Sequence, residues 1–133
     1  RRQRQMCIRD SLPALVRSLK LQKRAARVGF DWPDILQVLE KIDEETRELV
    51  EAKQHLSQDK INEEFGDLLF SIVNLGRHLE VDSEEALKKT NRKFTERFRF
   101  IEDSISSRGL KLEETPLEEM EDLWQISKKA LSN

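Results

Sequence analysis

Apolar positions recur every three or four residues along most of this chain, in segments of helical period separated by short stretches rich in turn residues. Leu12, Leu15, Val16 and Leu19 mark the first segment. It runs to Arg27 and is closed by Gly29, the residue type suited to the left-handed turn at a helix C-terminus. Asp31 and Pro33 supply a helix cap and an early proline. They predict a second helix from about Pro33 to His55, striped by Ile35, Leu39, Ile42 and Leu49. Leu56-Ser57-Gln58-Asp59 is too short for an element and is expected as a helical hairpin turn. A third helix, about Lys60 to Glu80, is expected to bury Ile61, Phe65, Leu68, Leu69, Ile72 and Leu79. Asp82, with Glu85 three residues on, forms a capping-box start for a fourth. Its stripe is Leu87, Thr90, Phe94, Phe98, Ile101 and Ile105, and Gly109 ends it. Thr115-Pro116-Leu117-Glu118 opens a fifth helix carrying Leu117, Met120, Leu123, Trp124 and Leu131. No segment has the period of a strand. The prediction is an all-α, antiparallel helical bundle, with residues 12–133 as one domain.

Composition supports this and removes several classes. Ala, Glu, Lys, Leu and Arg supply 65 of 133 residues, the make-up of long helices. No apolar run approaches the roughly 20 residues that span a bilayer, so no membrane role is expected. One cysteine cannot form an internal disulfide, and the expected setting is cytoplasmic. The net charge of −2 offers no general footprint for nucleic acid. Glycine-rich phosphate loops are missing, which excludes P-loop and Rossmann sites. Residues 1–11 stand apart: four arginines and little apolar content read as a basic tail, disordered or artefactual, that also carries Cys7. Without Arg1–Asp10 the rest carries −5 and no cysteine.

That acidity has a pattern. The second helix places Lys41, Glu45 and Glu48 in the spacing K-x3-E-x2-E, and the third repeats it as Lys60, Glu64 and Asp67. At about 100° per residue, Glu45 and Glu48 fall roughly 80° and 140° to one side of the stripe centred on Ile35. Glu64 and Asp67 fall roughly 100° and 160° to the same side of the stripe centred on Phe65. If these flanks face each other across an antiparallel hairpin, four carboxylates converge. They stay ionised together only with cations among them. Oxygen-only ligands suit a hard ion, Mg²⁺ or Mn²⁺, that keeps waters and binds phosphates. The same spacing also describes an ordinary solvated face. Glu44 and Glu63 lie opposite the stripes and are expected in solvent. The Glu-x-x-His motif of di-iron bundles and the calcium EF-hand loop are both missing. His55 and His78 read as surface residues.

Lys93 and Arg97 lie one turn apart on the fourth helix, beside Phe94, where two cations could hold a polyphosphate. Trp124 and Lys128 have the same spacing on the fifth. The tryptophan is suited either to core packing or to stacking on a base. Trp32, just before Pro33, reads as a helix-start staple.

Glu44-Glu45-x-x-Glu48 followed after fifteen residues by Glu64-x-x-Asp67 resembles the carboxylate motif of MazG-type nucleoside triphosphate pyrophosphohydrolases. The likeness extends from about Leu21 to Ala130. It takes in Gly29-Phe30-Asp31-Trp32, the run Asp67-Leu68-Leu69-Phe70-Ser71-Ile72-Val73-Asn74-Leu75, Thr90 to Phe98, and Leu123-Trp124 through Lys128. It is strongest to the C-terminal catalytic domain of the two-domain bacterial proteins. The resemblance implies an all-α homodimer that hydrolyses NTP or dNTP to monophosphate and pyrophosphate with Mg²⁺. It implies Glu45, Glu48, Glu64 and Asp67 as metal ligands, with no departure from the pattern at those positions. Lys41, Lys60, Glu63, Lys93, Arg97, Trp124 and Lys128 would contact the nucleotide. A carboxylate not fully engaged by metal, Glu48 ahead of Glu45, would take the proton from the attacking water. Two other expectations stand beside this one: a non-catalytic helical interaction module, and a hydrolase restricted to dUTP or dCTP.

Overall fold

A computed structural model of the protein describes residues 12–55 and 57–131. The expectation of a tail at residues 1–11 lies outside them. The described residues form α1 (Ala14–Arg27), α2 (Ile35–His55), α3 (Gln58–His78), α4 (Ser83–Ser107) and α5 (Leu117–Leu131), with a single 3₁₀ turn at Leu112–Glu114. The chain divides into two compact units between Ala86 and Leu87.

Helix ends follow local chemistry. Gly29 (φ +89°) and Gly109 (φ +73°) adopt the left-handed conformation expected of them. At the first, Gly29 N–H donates to Ala26 O and Phe30 N–H to Ala25 O, closing α1 with a Schellman pair. α3 ends the same way around Glu80, which takes φ +59° without the freedom of glycine. Asp82 caps α4 as expected, its Oδ1 accepting from Glu85 N–H at 3.1 Å. Two expectations are corrected. The cap of α2 is Asp34, whose Oδ1 accepts from Gln37 N–H at 3.0 Å, and Asp31 serves elsewhere. The hairpin turn is shorter than four residues: Ser57 caps α3 by accepting from Lys60 N–H, so Gln58 and Asp59 are already helical.

In the first unit α2 packs on α3 and α1 packs on α3. The inward face of α2 is Ile35, Val38, Ile42, Glu45, Leu49 and Ala52; that of α3 is Ile61, Glu64, Leu68, Ser71 and Leu75. Both alternate in steps of three and four, the spacing of a coiled-coil seam. Phe65, Leu69, Ile72, Leu79 and Leu39, expected in the core, are exposed instead, Phe65 by half its surface. α3 carries more apolar residues than one seam can cover; α1 packs on α3 as well, and Val73 and Asn74 are buried there. In the second unit Ile101, Ile105 and Leu123 form the core, flanked by Phe98, Leu112, Met120 and Trp124. Leu87, Phe94, Leu117 and Leu131, expected on buried stripes, are exposed because two helices share a single seam.

Candidate functional site

The α2–α3 hairpin determines which carboxylates meet. α2 ends at His55 and α3 begins at Gln58, so Glu48 and Glu64, seven and six residues from those ends, lie roughly across from each other. Carboxylate oxygens of Glu45, Glu48 and Glu64 all lie within 4.8 Å of one another. Glu45 is 4% exposed, Glu64 half-buried and Glu48 exposed. Glu45 and Glu64 are therefore members of the seam rather than of its flank, a shift of about one helical position from the wheel projection. Asp67 is exposed one turn beyond Glu64 and is not part of this threefold cluster among the described residues.

The cluster carries more negative charge than its neighbours balance. Lys41 Nζ lies 3.0 Å from Glu45 Oε1 and 3.3 Å from Glu44 Oε2. The bond to Glu45, ahead of that to Glu44, raises the Lys41 ammonium above its usual range, against a smaller opposing effect of burial. Burial first, and then the charges of Glu48 and Glu45, push the Glu64 carboxyl up from its ordinary value. Glu45 Oε2 and Glu64 Oε2 are buried and have no hydrogen-bond partner among the described residues. Two unsatisfied buried carboxylate oxygens beside a third carboxylate are a costly arrangement for a protein alone. They fit an oxygen-coordinated cation, and these three glutamates could hold a metal ion.

The remaining candidates are more open. Lys60 Nζ pairs with Glu63 Oε2 at 3.1 Å, both more than half exposed, so Glu63 sits in solvent where the wheel projection puts it. In the second unit, the Arg97 guanidinium lies 5.4 Å from the centre of the Trp124 ring. Phe94 packs against the same ring at 5.5 Å and stacks on Phe98 at 5.9 Å. Trp124 is thus a packing residue with one aromatic and one cationic neighbour. Lys93 and Lys128 are exposed.

Sequence reasoning missed one polar group. Asp31 Oδ1 accepts from the Arg77 guanidinium and lies 3.2 Å from His78 Nε2, while Arg77 Nη2 also donates to Asn74 Oδ1 at 2.7 Å. The His78 side chain is only 13% exposed, which corrects the expectation of a surface histidine. Arg77, ahead of His78, holds the Asp31 carboxyl below its usual range. Forty-six residues separate Asp31 from Arg77, so no local spacing signals the pair. Among the described residues no helix is long and apolar enough to cross a membrane.

Known proteins are similar to this chain over much of its length. The model of the MazG nucleotide pyrophosphohydrolase domain matches residues 34–99, which include every member of the carboxylate cluster and Asp67. A Thermotoga maritima nucleoside triphosphate pyrophosphohydrolase/pyrophosphatase MazG is 50% identical over 121 residues, 91% of this chain and 46% of its own length. An Escherichia coli K12 nucleoside triphosphate pyrophosphohydrolase is 50% identical over 121 residues, 90% of this chain and 46% of its own. The Bacillus subtilis protein YabN, uncharacterized, is 42% identical over 71 residues, 53% of this chain and 14% of its own. The chain spans about half the length of the first two relatives.

Proposed function

Because the chain belongs to the MazG nucleotide pyrophosphohydrolase family, we propose that it hydrolyses nucleoside triphosphates to monophosphate and pyrophosphate with Mg²⁺. The observation that carries this reading is the three-glutamate cluster with two unsatisfied buried oxygens. Glu45, Glu48 and Glu64 would hold the ion, and Asp67, one turn further along α3, would join them as the resemblance implies. Mn²⁺ suits the same donors. Bound there, a divalent ion supplies charge neutralisation for the polyphosphate and a lowered pKa for coordinated water.

The chain's own residues divide the remaining work. Glu45 is engaged by Lys41 and buried, whereas Glu48 is exposed, so Glu48 takes the proton from the attacking water. That water forms a bond to the α phosphorus, and the bond from the α phosphorus to the bridging oxygen breaks. The bridging oxygen leaves with the pyrophosphate. Lys41, Lys60 and Glu63 of the first unit would contact the nucleotide, an assignment that follows the resemblance. Cationic groups there stabilise charge on the phosphates.

The exposed Phe65, Leu69 and Ile72 support assembly as a homodimer, since a contiguous apolar face on one helix is best covered by a second copy. The expected location is the cytoplasm. A hydrolysis panel across the common NTPs and dNTPs, with pyrophosphate and orthophosphate measured separately, tests the reading. Mg²⁺-dependent pyrophosphate release supports it; orthophosphate as the first product refutes it.

A further inference from the structure

α1 differs in charge from every other described helix. Its fourteen residues hold Arg17, Lys20, Lys23, Arg24 and Arg27 and no carboxylate, whereas α2 to α5 each mix both signs. The formal charge is +5 on α1 and −10 over residues 28–133, so a chain near neutrality carries one concentrated basic segment. Gln22, which donates to Phe70 O, marks the side of α1 turned to α3. At about 100° per residue, Lys20, Lys23 and Arg27 fall within about 60° of one another and roughly 100–160° from Gln22. All three are exposed, and none forms an ion pair among the described residues. Lys23 borders a hollow with Glu80 and Asp82 without pairing with either. Like charges three and four residues apart repel on a helix surface, and Lys20 with Lys23 and Lys23 with Arg27 are two such pairs. The helix dipole offsets this for Arg27 in the last turn, but not for the two lysines. A face that weakens its own helix and finds no partner among the described residues is suited to an external anion.

The end of the helix adds a second feature. Val28 is 85% and Phe30 81% exposed, the two most exposed of the large apolar residues described. Phe30 N–H donates to Ala25 O, so Phe30 stands at the C-terminal end of α1, three residues beyond Arg27. Cations that step about 4.5 Å and then about 6 Å along a helix suit a chain of phosphates better than a single anion. An exposed aromatic ring adjoining such a row is a platform for an unpaired base. An acidic protein segment would meet the cations but bring no flat face to Phe30. A lipid surface would need the apolar side of α1, which is turned to α3. We propose that the outer face of α1, with Phe30 at its end, binds single-stranded nucleic acid through its phosphates, without regard to sequence. This goes beyond the hydrolase reading, and no residue of the proposed nucleotide site takes part.

The test is fluorescence anisotropy of the full chain with a short labelled oligothymidylate in EDTA, which keeps divalent ions from the glutamate cluster. Binding is expected with Kd below about 100 µM at low salt, and with a log–log salt slope of about −2 for contacts to about three phosphates. Lys20→Gln, Lys23→Gln and Arg27→Gln together should weaken it about tenfold or more, while the melting temperature and Mg²⁺-dependent hydrolysis hold. Lys20→Gln alone should reduce the slope by about 0.7. Phe30→Ser should weaken binding about fivefold, and a duplex of the same length should bind less tightly than the strand. Absence of binding overturns the proposal, as does binding that the triple variant leaves unchanged. Equal affinity for strand and duplex, with no effect of Phe30→Ser, also overturns it. Polyglutamate bound as tightly as the strand assigns the face to an acidic protein instead. Retention on phosphatidylglycerol vesicles without strand binding assigns it to a lipid surface. Either of these results overturns the proposal as well.

Discussion

Lys41 Nζ lies 3.0 Å from Glu45 Oε1 at the buried seam between α2 and α3. The most buried carboxylate of the cluster thus has a cation one turn away on its own helix, while Glu48 and Glu64 face it from the other side. This pairing makes Glu45 tolerable in the seam without a metal, and it leaves Glu45 Oε2 for one.

Replacing Lys41 with methionine strands a nearly buried carboxylate. Removing one partner of a buried pair costs about 3–5 kcal/mol, and the partial exposure of Lys41 reduces this to about 2 kcal/mol. Denaturant unfolding without metal should show the loss, and added Mg²⁺ should restore part of it by linkage. Equal loss with and without Mg²⁺ would separate Lys41 from the ion site.

Glu64→Gln should act in the opposite direction. The Glu64 carboxyl is pushed above its ordinary value of 4.5, so its ionisation penalises the fold at neutral pH, and the penalty fades as pH falls through the raised value. The amide removes that penalty. Melting in the absence of metal should occur at a higher temperature than in the parent chain. The rise in melting temperature on adding Mg²⁺ with a nucleotide analogue should disappear.

Asp31 gives the acid limb. Its carboxyl is held below 3.8 by Arg77 first and His78 second. A lowered folded value means stability that is present in full above the unfolded value and lost as pH falls through the folded one. Stability against pH should therefore decline below about pH 4, and Asp31→Asn should flatten that part of the curve. At neutral pH the variant should cost about 1 kcal/mol, read by urea unfolding.

The turn after α3 offers two substitutions of opposite sign. A Cβ on Gly76 would lie 2.9 Å from Ser83 Oγ and 3.1 Å from the backbone oxygen of Val81, so Gly76→Ala should destabilise by about 1–3 kcal/mol. Glu80→Gly relieves a left-handed residue at φ +59° and should stabilise by about 0.5–1 kcal/mol. Thermal unfolding of both variants checks the pair.

Helix existence and most helix ends were legible because capping is local: Gly29, Asp82 and Gly109 act through residues within five positions of themselves. The face each helix buries was less so. On α3 three large apolar residues, Phe65, Leu69 and Ile72, draw the wheel toward one side, yet the seam runs through Glu64 and Ser71. A sequence-derived stripe assumes that apolar means inward, and a functional seam breaks that assumption where it holds carboxylates. The convergence of Glu45, Glu48 and Glu64 was readable because spacing and hairpin register are both short-range. Asp31 with Arg77 was not, since only tertiary packing brings α3 to the α1–α2 connection.

In the proposed hydrolysis, water activated at the glutamate cluster attacks the α phosphorus. Hydrolysis in ¹⁸O-labelled water with Mg²⁺, followed by mass spectrometry of both products, tests it directly. Label is expected in the nucleoside monophosphate and none in the pyrophosphate, with loss of turnover in Glu48→Gln and helicity retained. Label in the pyrophosphate, or full turnover in that variant, would contradict it.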